Sequence, residues 1–380
     1  MTQTKVEAPF VANNAHFKNL FINGDMDIAQ RATSTSSVNA TGYYACDRWS
    51  YKTNGSGLVV TMSQDTDVPT GEGFTTSLKF DVTTADTSTA SAERVHFGQT
   101  IEAQNLQHLA SATSSAKKVT LSFWVKSTIT GTYAVAIYKS DQTGRLVNAT
   151  YTVSSADTWE HKTITFPGDT GGGGIDNDNG SGFQFDWFLI AGTGSTSGGA
   201  QTTWANFASA SWAGGHNVNF GSSTDNNYYI TGVQLEVGDQ ATDFEHLPTD
   251  VQLARCQRYC RLLKMQGIHY TYQFSTNWSR ANPTYGNVAN EMRDLPSASW
   301  LSATPTYDDA SQTVAADENK FRWGYNGATN DTSPSSTLGI DNIGFYSLSV
   351  YNNAINHSTD GSSGFVIWAK QSAIVLDAEL

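Results

Sequence analysis

Apolar and polar residues alternate along short stretches in the first two thirds of the chain. Over residues 119–125 every second residue is Val, Leu or Phe, and the same period returns over 133–137, 183–189 and 233–237. Alternation of this kind is typical of a β-strand with one buried and one exposed face. Gly, Asn and Asp separate the stretches, and no long helical pattern lies between them. We therefore predict an all-β chain built on an antiparallel β-sandwich, and not a parallel α/β sheet.

The pattern divides the chain into three predicted parts. Residues 1–16 show no periodicity and are expected to form an extended arm that docks on a neighbouring protein. Residues 17–247 form the sandwich, and residues 248–380 form a second, smaller β-rich domain. At this boundary Thr249 and Gln252 fit a capping box, which predicts a short helix to about residue 258 with the Gln252 side chain turned back onto the helix start.

Charge and composition narrow the function classes. The 380 residues carry a formal net charge of -13, so nucleic acid is not an expected partner. No apolar run is long enough to cross a bilayer. The first residues lack the apolar core of a signal peptide, and we expect synthesis and folding in a cytoplasm. Cys46, Cys256 and Cys260 are too few for a disulfide framework and are expected to be free thiols.

Several aromatic residues stand where core packing does not obviously require them. Trp204 and Trp212 lie in loops rich in Gly, Ser and Ala. Exposed rings stack on the flat apolar face of a sugar, while polar side chains at the rim bond its hydroxyls. Packing in the core or between subunits is the alternative for each ring, and Trp49, Trp124 and Trp187, within strand patterns, are expected to be structural. The candidate ligand-binding residues are Trp204, Trp212, Tyr228, Trp278, Trp300, Trp323 and Tyr325.

Short motifs in a fixed order resemble a two-part arrangement of bacteriophage tail fibres and related virion proteins. Its first part is a galactose-binding-like jelly roll of the kind that binds carbohydrate, and its second part is β-rich. The first and last motifs of the jelly roll are expected to be the first and last strands of one sandwich. In this sequence the jelly-roll motifs are NLFINGD at 19–25, QR at 30–31, DRW at 47–49, TLSFWVK at 120–126, VQLEVG at 233–238 and DFE at 243–245. The second part runs from RCQRY at 255–259 through EMRDLP at 291–296 to DAEL at 377–380.

The resemblance implies a virion component, usually a homotrimer, located in the tail or a surface appendage. We expect the loops and residues 248–380 to contact host surface polysaccharide, the N-terminal arm to bind other virion proteins, and no part to insert into a membrane. Related sandwiches often hold a structural calcium between an acid after the first strand and another acid in the last strand. Asp27 is placed to supply the first acid, but Thr231 and Gly232 stand at the expected place of the second.

No cofactor is therefore predicted. A second calcium candidate, DNDNG at 176–180, lacks the glutamate that ends an EF-hand loop, since Trp187 stands at the twelfth position. A solvated acidic loop is the favoured interpretation of this segment.

The sequence carries no motif typical of catalysis. Nucleophile-elbow, zinc-protease and phosphate-loop patterns are all missing. Glu291 and the adjacent Asp308 and Asp309 are available carboxylates, but nothing pairs them as a glycosidase requires. We therefore expect a protein that is not an enzyme. Two alternatives stay open: a capsid or tail decoration protein with an assembly role only, and a polysaccharide depolymerase of the tailspike kind.

Overall fold

The computed structural model divides into two compact units, residues up to 253 together with 380, and residues 254–379. It describes residues 17–142, 144–264, 267–275, 278–281, 292–294, 296–300, 306–307, 320–325, 339–341, 349–352, 363–368 and 373–380. Side chains are described for residues 17–142, 144–262, 292–294, 296–298 and 375–380. The predicted arm at 1–16 lies outside the described residues.

Two antiparallel sheets make up the first unit. The six-stranded sheet has the order β1 (Ser34–Val38), β4 (Val59–Asp65), β5 (Ser77–Thr84), β13 (Asn227–Val237), β7 (Val119–Ser127) and β10 (Glu160–Phe166). The seven-stranded sheet has the order β12 (Ala205–Asn206), β9 (Arg145–Val153), β8 (Gly131–Lys139), β11 (Ser181–Ala191), β6 (Arg94–Glu102), β3 (Ser50–Asn54) and β2 (Gly42–Tyr43). The predicted antiparallel β-sandwich is confirmed.

The core lies between these sheets and follows the period-two pattern. On β7 the inward side chains of Leu121, Phe123 and Val125 are fully buried. On the facing sheet Phe185 and Trp187 are equally buried. Each such side chain contributes about 1.5–3 kcal/mol when it leaves water, which makes the alternation the main determinant of the fold.

The NGD end of the NLFINGD motif (residues 23–25) meets the QR and DRW motifs in one buried cluster. The Asn23 amide donates to the carbonyl oxygens of Ile28 (2.9 Å) and Asp47 (3.0 Å), and its oxygen accepts from the Ile28 amide at 2.9 Å. The Asp47 carboxylate in turn accepts from the backbone and side chain of Gln30 at 2.9 and 2.5 Å. The Trp49 indole donates to the Asn23 carbonyl at 2.9 Å. In this irregular segment, these side chains satisfy backbone N–H and C=O groups that a regular strand would satisfy through its ladder.

The opening motif is paired with β13, as predicted, but it is not itself a strand. The Asn19 side chain donates to the Val233 carbonyl and accepts from the Leu235 amide, both at 3.0 Å. The Val233 amide donates to the Gly24 carbonyl at 2.8 Å. Among the described residues the first strand is β1, which begins at residue 34. Residues 19–25 are irregular because side-chain amides, and not a regular ladder, satisfy the neighbouring backbone.

Helix is scarce in the described part of the chain. The α-helices are α1 (Thr193–Thr196) and α2 (Thr249–Gln257), and short 3-10 turns occupy Ala103–Leu109, Ser209–Ser211 and Phe220–Ser222. Helix α2 lies where a short helix was predicted, but the capping box is wrong. Gln252 donates its side chain to the Asp25 carboxylate at 2.8 Å instead of turning back. None of the described helices has the length and apolar character needed to cross a membrane.

Two further sheets make up the second unit. The three-stranded sheet has the order β14 (Cys260–Lys264), β23 (Ala373–Asp377) and β17 (Ser297–Trp300). The seven-stranded sheet has the order β18 (Thr306–Tyr307), β19 (Lys320–Tyr325), β22 (Ser363–Trp368), β15 (Gly267–Ser275), β16 (Trp278–Ala281), β21 (Ser349–Asn352) and β20 (Gly339–Asp341). The pairing is antiparallel except between β18 and β19. All three cysteines, which lie in the described part of the chain, are buried thiols outside any disulfide, as expected.

Candidate functional site

A cleft opens on the outer face of the six-stranded sheet of the first unit. Strand β7 sends Phe123 and Val125 into the core, so Trp124 between them points outward. His161 on β10 stands opposite Trp124 on one side, and Thr231 on β13 stands opposite on the other. The rings of Trp124 and His161 are 5.1 Å apart. The floor of the cleft is therefore an indole with an imidazole beside it.

Two connecting segments form the walls. Residues 71–76, between β4 and β5, place Phe74 beside the floor, and residues 241–246, after β13, place Phe244 and His246 there. The rings of Phe74 and Phe244 meet edge to face at 5.0 Å, and His246 lies 5.2 Å from Phe74. The cleft has a volume of about 430 Å³.

The wall at 241–246 is held in place by Gln234 and Glu236 of the VQLEVG motif. Gln234 accepts a hydrogen bond from the Glu245 amide at 2.8 Å and donates to the Thr242 carbonyl at 3.1 Å. Glu236 accepts from the backbone and hydroxyl of Thr242 at 2.7 and 2.8 Å. Because Gln234 and Glu236 lie two residues apart on one strand, both project from the outer face and fasten the same segment.

Gly232 makes room between the floor and the wall. Its φ of +61° belongs to the left-handed region, and β13 shifts its register against β7 at this point. A Cβ at residue 232 would lie 2.6 Å from the Phe74 ring and 3.1 Å from the Trp124 ring. Only glycine allows the two rings to approach the backbone this closely.

Polar groups complete the lining of the cleft. Glu72 and Asp243 contribute exposed carboxylates beside the imidazoles of His161 and His246. Burial lowers the pKa of His161, against the opposite effect of the nearby Glu72 carboxylate. His161 therefore remains largely uncharged at neutral pH. Apolar ring faces with hydrogen-bonding groups around them suit a ligand that has one apolar face and polar edges.

The structure places Trp204 and Trp212, two of the predicted ligand-binding residues, outside the lining of this cleft. Trp204 stacks on Phe183 at 5.6 Å, and its indole nitrogen donates to the Pro167 carbonyl at 2.8 Å. Trp212 lies on the outer face of the seven-stranded sheet, where its nitrogen donates to Asp186 at 3.2 Å and the Arg94 guanidinium lies 4.9 Å from its ring. Both rings are thus largely committed to partners in the protein.

Tyr228 is corrected from a ligand-binding candidate to a core residue. Its side chain has no exposed surface, and its hydroxyl hydrogen-bonds that of Tyr151 at 2.8 Å. It occupies an inward position of β13, so it has no face to offer a ligand. Trp278, Trp300, Trp323 and Tyr325 lie on strands of the second unit, and their side chains are outside the described part of the chain.

Trp124 was expected to be structural, and its outward position is the main correction to the sequence analysis. Trp49 and Trp187 are fully buried, as expected, whereas Trp124 is only partly buried. The alternation itself indicated this outward position, because Trp124 lies on the same face of the strand as the polar residues Ser122 and Lys126. An aromatic residue on the polar face of a strand is a better ligand candidate than one on the apolar face.

The acid proposed for calcium is already hydrogen-bonded. Asp27 accepts from the hydroxyls of Thr75 and Thr76, each at 2.7 Å. Thr231 donates to the Thr76 carbonyl at 2.8 Å, so it supports the same turn. Within the described residues no three His, Cys, Asp or Glu side chains come together as metal ligands, the 176–180 loop included.

Comparison with known proteins gives solved structures but no family. No family model and no curated protein matches the chain. A tailspike protein 4 domain of bacteriophage CBA120 is 15% identical, with a TM-score of 0.30, and the match covers 58% of this chain and 22% of the tailspike chain. A putative sugar-binding protein from Bacteroides thetaiotaomicron is 12% identical over 58% of this chain and 100% of its own, with a TM-score of 0.30. A family 11 carbohydrate-binding module from Clostridium thermocellum is 13% identical over 57% of this chain and 99% of its own, with a TM-score of 0.26.

Proposed function

We propose that the first unit binds a saccharide in the cleft over Trp124, and that the protein is a virion component, a tail fibre or receptor-binding protein, that attaches to host surface glycans without enzymatic activity. The observation that carries the binding proposal is the outward indole of Trp124 between Phe74, Phe244 and His161. The virion assignment is supported by the order of the sequence motifs. Homotrimer formation and docking through residues 1–16 belong to the same proposal.

The chemistry of the cleft supports a sugar more than an entirely apolar ligand. The partly buried indole of Trp124 and phenyl ring of Phe244 present flat apolar surfaces beside the buried ring of Phe74, and such surfaces match the C–H face of a pyranose. Glu72, Asp243 and the imidazoles supply acceptors and donors for hydroxyls at the ring edge. A cavity of about 430 Å³ falls in the range of ligand sites and has room for a short saccharide.

Weak single sites also fit a multivalent attachment protein. One stacked ring and a few hydroxyl contacts give low affinity, because each hydrogen bond replaces one to water. Several copies on one particle raise the avidity by about 10²–10⁴ without any new contact. Attachment through many weak sites is reversible until several engage.

The test is binding of the purified protein to a glycan array and to host cells, compared between wild type, Trp124→Ala and Trp212→Ala. We expect Trp124→Ala to lose about tenfold or more in affinity, because the stacking surface is removed. Trp212→Ala is the matched control, since it removes a partly buried indole on the opposite sheet, and should bind as wild type does. Phe244→Ala, on the wall, should also lose affinity, which guards against a folding defect specific to Trp124→Ala.

Each outcome bears on the proposal. Equal binding by wild type and both cleft variants would remove the cleft as the saccharide site. Binding to no glycan and no host cell, with many copies found on the particle, would favour the decoration role. Release of reducing sugar from host polysaccharide, lost on one Asp or Glu substitution, would favour the depolymerase.

A further inference from the structure

Among the described residues, two carboxylates of the cleft have no Lys or Arg partner. Glu72 and Asp243 both line the cleft and both are exposed. Among the described residues, neither side chain forms an ion pair with a Lys or Arg. Their negative charge therefore remains available to a ligand.

The lysines around the cleft are already engaged. Lys126, two residues from Trp124 on the same face, forms an ion pair with Asp67 and lies 4.3 Å from the Tyr229 ring. Lys162 on β10 pairs with Glu160 at 2.6 Å. Lys18 donates to the hydroxyl of Thr242 at 2.6 Å and the carbonyl of Asp243 at 2.5 Å, on the wall segment. Lys18 offsets part of the Asp243 charge, but no lysine or arginine is among the lining residues.

The aromatic lining adds to the same preference. The faces of the partly buried rings of Trp124 and Phe244 carry the negative part of the ring quadrupole, which attracts a cation and repels an anion. The imidazole of His161 remains largely neutral near pH 7, so it does not reverse the sign of the field. Rings and carboxylates together make a surface on which a positively charged substituent is stabilised.

We propose that the cleft selects saccharides by charge, taking sugars that carry an amine cation in preference to uncharged sugars and disfavouring sugars that carry a carboxylate, with Glu72 and Asp243 as the selecting residues. This inference rests on the proposed saccharide binding and specifies its substrate class. Both carboxylates are exposed to solvent, so screening limits the effect of each to a few fold in affinity.

The experiment uses one sugar chain with three substituents. Glucosamine oligosaccharides of equal length carry a trimethylammonium, an acetamido or a succinamido group on C2, which gives a fixed positive, zero or negative charge. Binding to the full chain is measured by calorimetry at about pH 7.5 and low ionic strength, where salt screens charges least. We expect affinity to fall in the order cationic, neutral, anionic, with about five- to tenfold between the extremes.

Two variants test the assignment of the selecting residues. The double variant Glu72→Gln/Asp243→Asn should bind the neutral sugar as before and lose most of the difference between cationic and anionic sugars. Asp239→Asn is the matched control, because Asp239 lies between β13 and the 241–246 wall, outside the cleft lining, and pairs with Lys118 at 3.5 Å. The Asp239→Asn variant should keep the wild-type affinity order of cationic, neutral and anionic sugars.

The outcomes separate the inference from the proposed function. Binding with no order, with the reverse order, or with an order that survives in the double variant overturns charge selection and leaves saccharide binding intact. Absence of binding by all three sugars, together with an unaffected Trp124→Ala variant on the glycan array, overturns both. If the differences in affinity among the three sugars shrink as salt is added, the result supports an electrostatic origin.

Discussion

The indole nitrogen of Trp49 donates a hydrogen bond of 2.9 Å to the backbone carbonyl of Asn23, and both side chains are fully buried. The Asn23 amide in turn binds the backbone of Ile28 and Asp47. The two motifs therefore satisfy polar groups of each other. The two motifs are structural, and they fix the irregular chain at the start of the sandwich.

Replacement of Asn23 should destabilise the first unit strongly. Asn23→Ala removes three buried hydrogen bonds and leaves a residue with a φ of 59°, which alanine tolerates poorly. We expect a loss of about 3–5 kcal/mol in the free energy of unfolding, measured by urea denaturation. Asn23→Gly permits this φ, so it should lose about 1 kcal/mol less.

A surface asparagine provides the comparison. Asn54 is exposed, and its side chain donates a hydrogen bond to the Ala92 carbonyl at 2.8 Å. Asn54→Ala should cost no more than about 1 kcal/mol. If Asn23→Ala were no more harmful than Asn54→Ala, the buried cluster would not stabilise the fold.

Gly24→Ala should be about as damaging as the loss of a core side chain. A Cβ at residue 24 would lie 2.1 Å from the Val233 carbonyl oxygen, a backbone atom that has no flexible side chain to move aside. Separation of the two segments would break the hydrogen bond from the Val233 amide to the Gly24 carbonyl. We expect a loss of about 2–4 kcal/mol by thermal or urea unfolding. Gly174→Ala, with open space around the new methyl group, should change stability by less than about 0.5 kcal/mol.

The alternation of residues was sufficient to predict the sandwich, because which residues face the core is a local property of a strand. The pairing of the opening motif with the VQLEVG segment followed from the resemblance and holds in the structure. The strand at 19–25 did not, since Asn19 and Asn23 replace regular ladder bonds with side-chain bonds. The capping box failed for a similar reason: Gln252 finds its partner in Asp25, 227 residues earlier in the chain.

The site was harder to predict than the fold because it depends on what covers each outer face. Trp204 and Trp212 looked exposed in glycine-rich loops, but those loops pack back onto the sandwich, which supplies partners for both rings. Trp124 looked structural, but its neighbours on the outer face leave it open between residues 71–76 and 241–246. The position of the 241–246 wall depends on Gln234 and Glu236, whose partners lie in a segment with no periodic pattern.

Asp169 forms a buried charge cluster that should be costly to break. It binds the Lys139 ammonium at 2.6 Å and the Arg145 guanidinium at 2.9 Å, and Lys139 is fully buried. Asp169→Asn leaves two cations short of their counter-charge, and we expect a loss of about 3–5 kcal/mol in urea denaturation.

A double variant tests whether the unpaired charge causes that loss. Lys139→Met/Asp169→Asn removes the buried cation along with its partner, so it should recover at least about 1 kcal/mol relative to Asp169→Asn alone. A double variant as unstable as the sum of the two single variants would mean that the residues act independently.

The buried imidazole of His216 should make the first unit sensitive to mild acid. Its Nδ1 accepts a hydrogen bond from the Ala134 amide at 3.3 Å, and its Nε2 lies 2.7 Å from the Val218 carbonyl, an arrangement that fits the neutral ring. Burial lowers the pKa of His216 from 6.5 to about 4. Between these values the unfolded chain binds a proton that the folded chain does not. The stability that His216 contributes is therefore present above about pH 6.5 and is lost as the pH falls towards 4, by up to about 3 kcal/mol.

The measurement is the free energy of unfolding in urea at a series of pH values from about 7.5 to 4. His216→Gln removes the titrating group, so its stability should fall less steeply over this range than that of wild type. Val218→Ala removes buried apolar volume beside the ring but keeps the carbonyl, so its curve should lie about 1–2 kcal/mol lower and run parallel to wild type. If the His216→Gln curve were parallel to wild type instead, protonation of another group would have to account for the acid sensitivity.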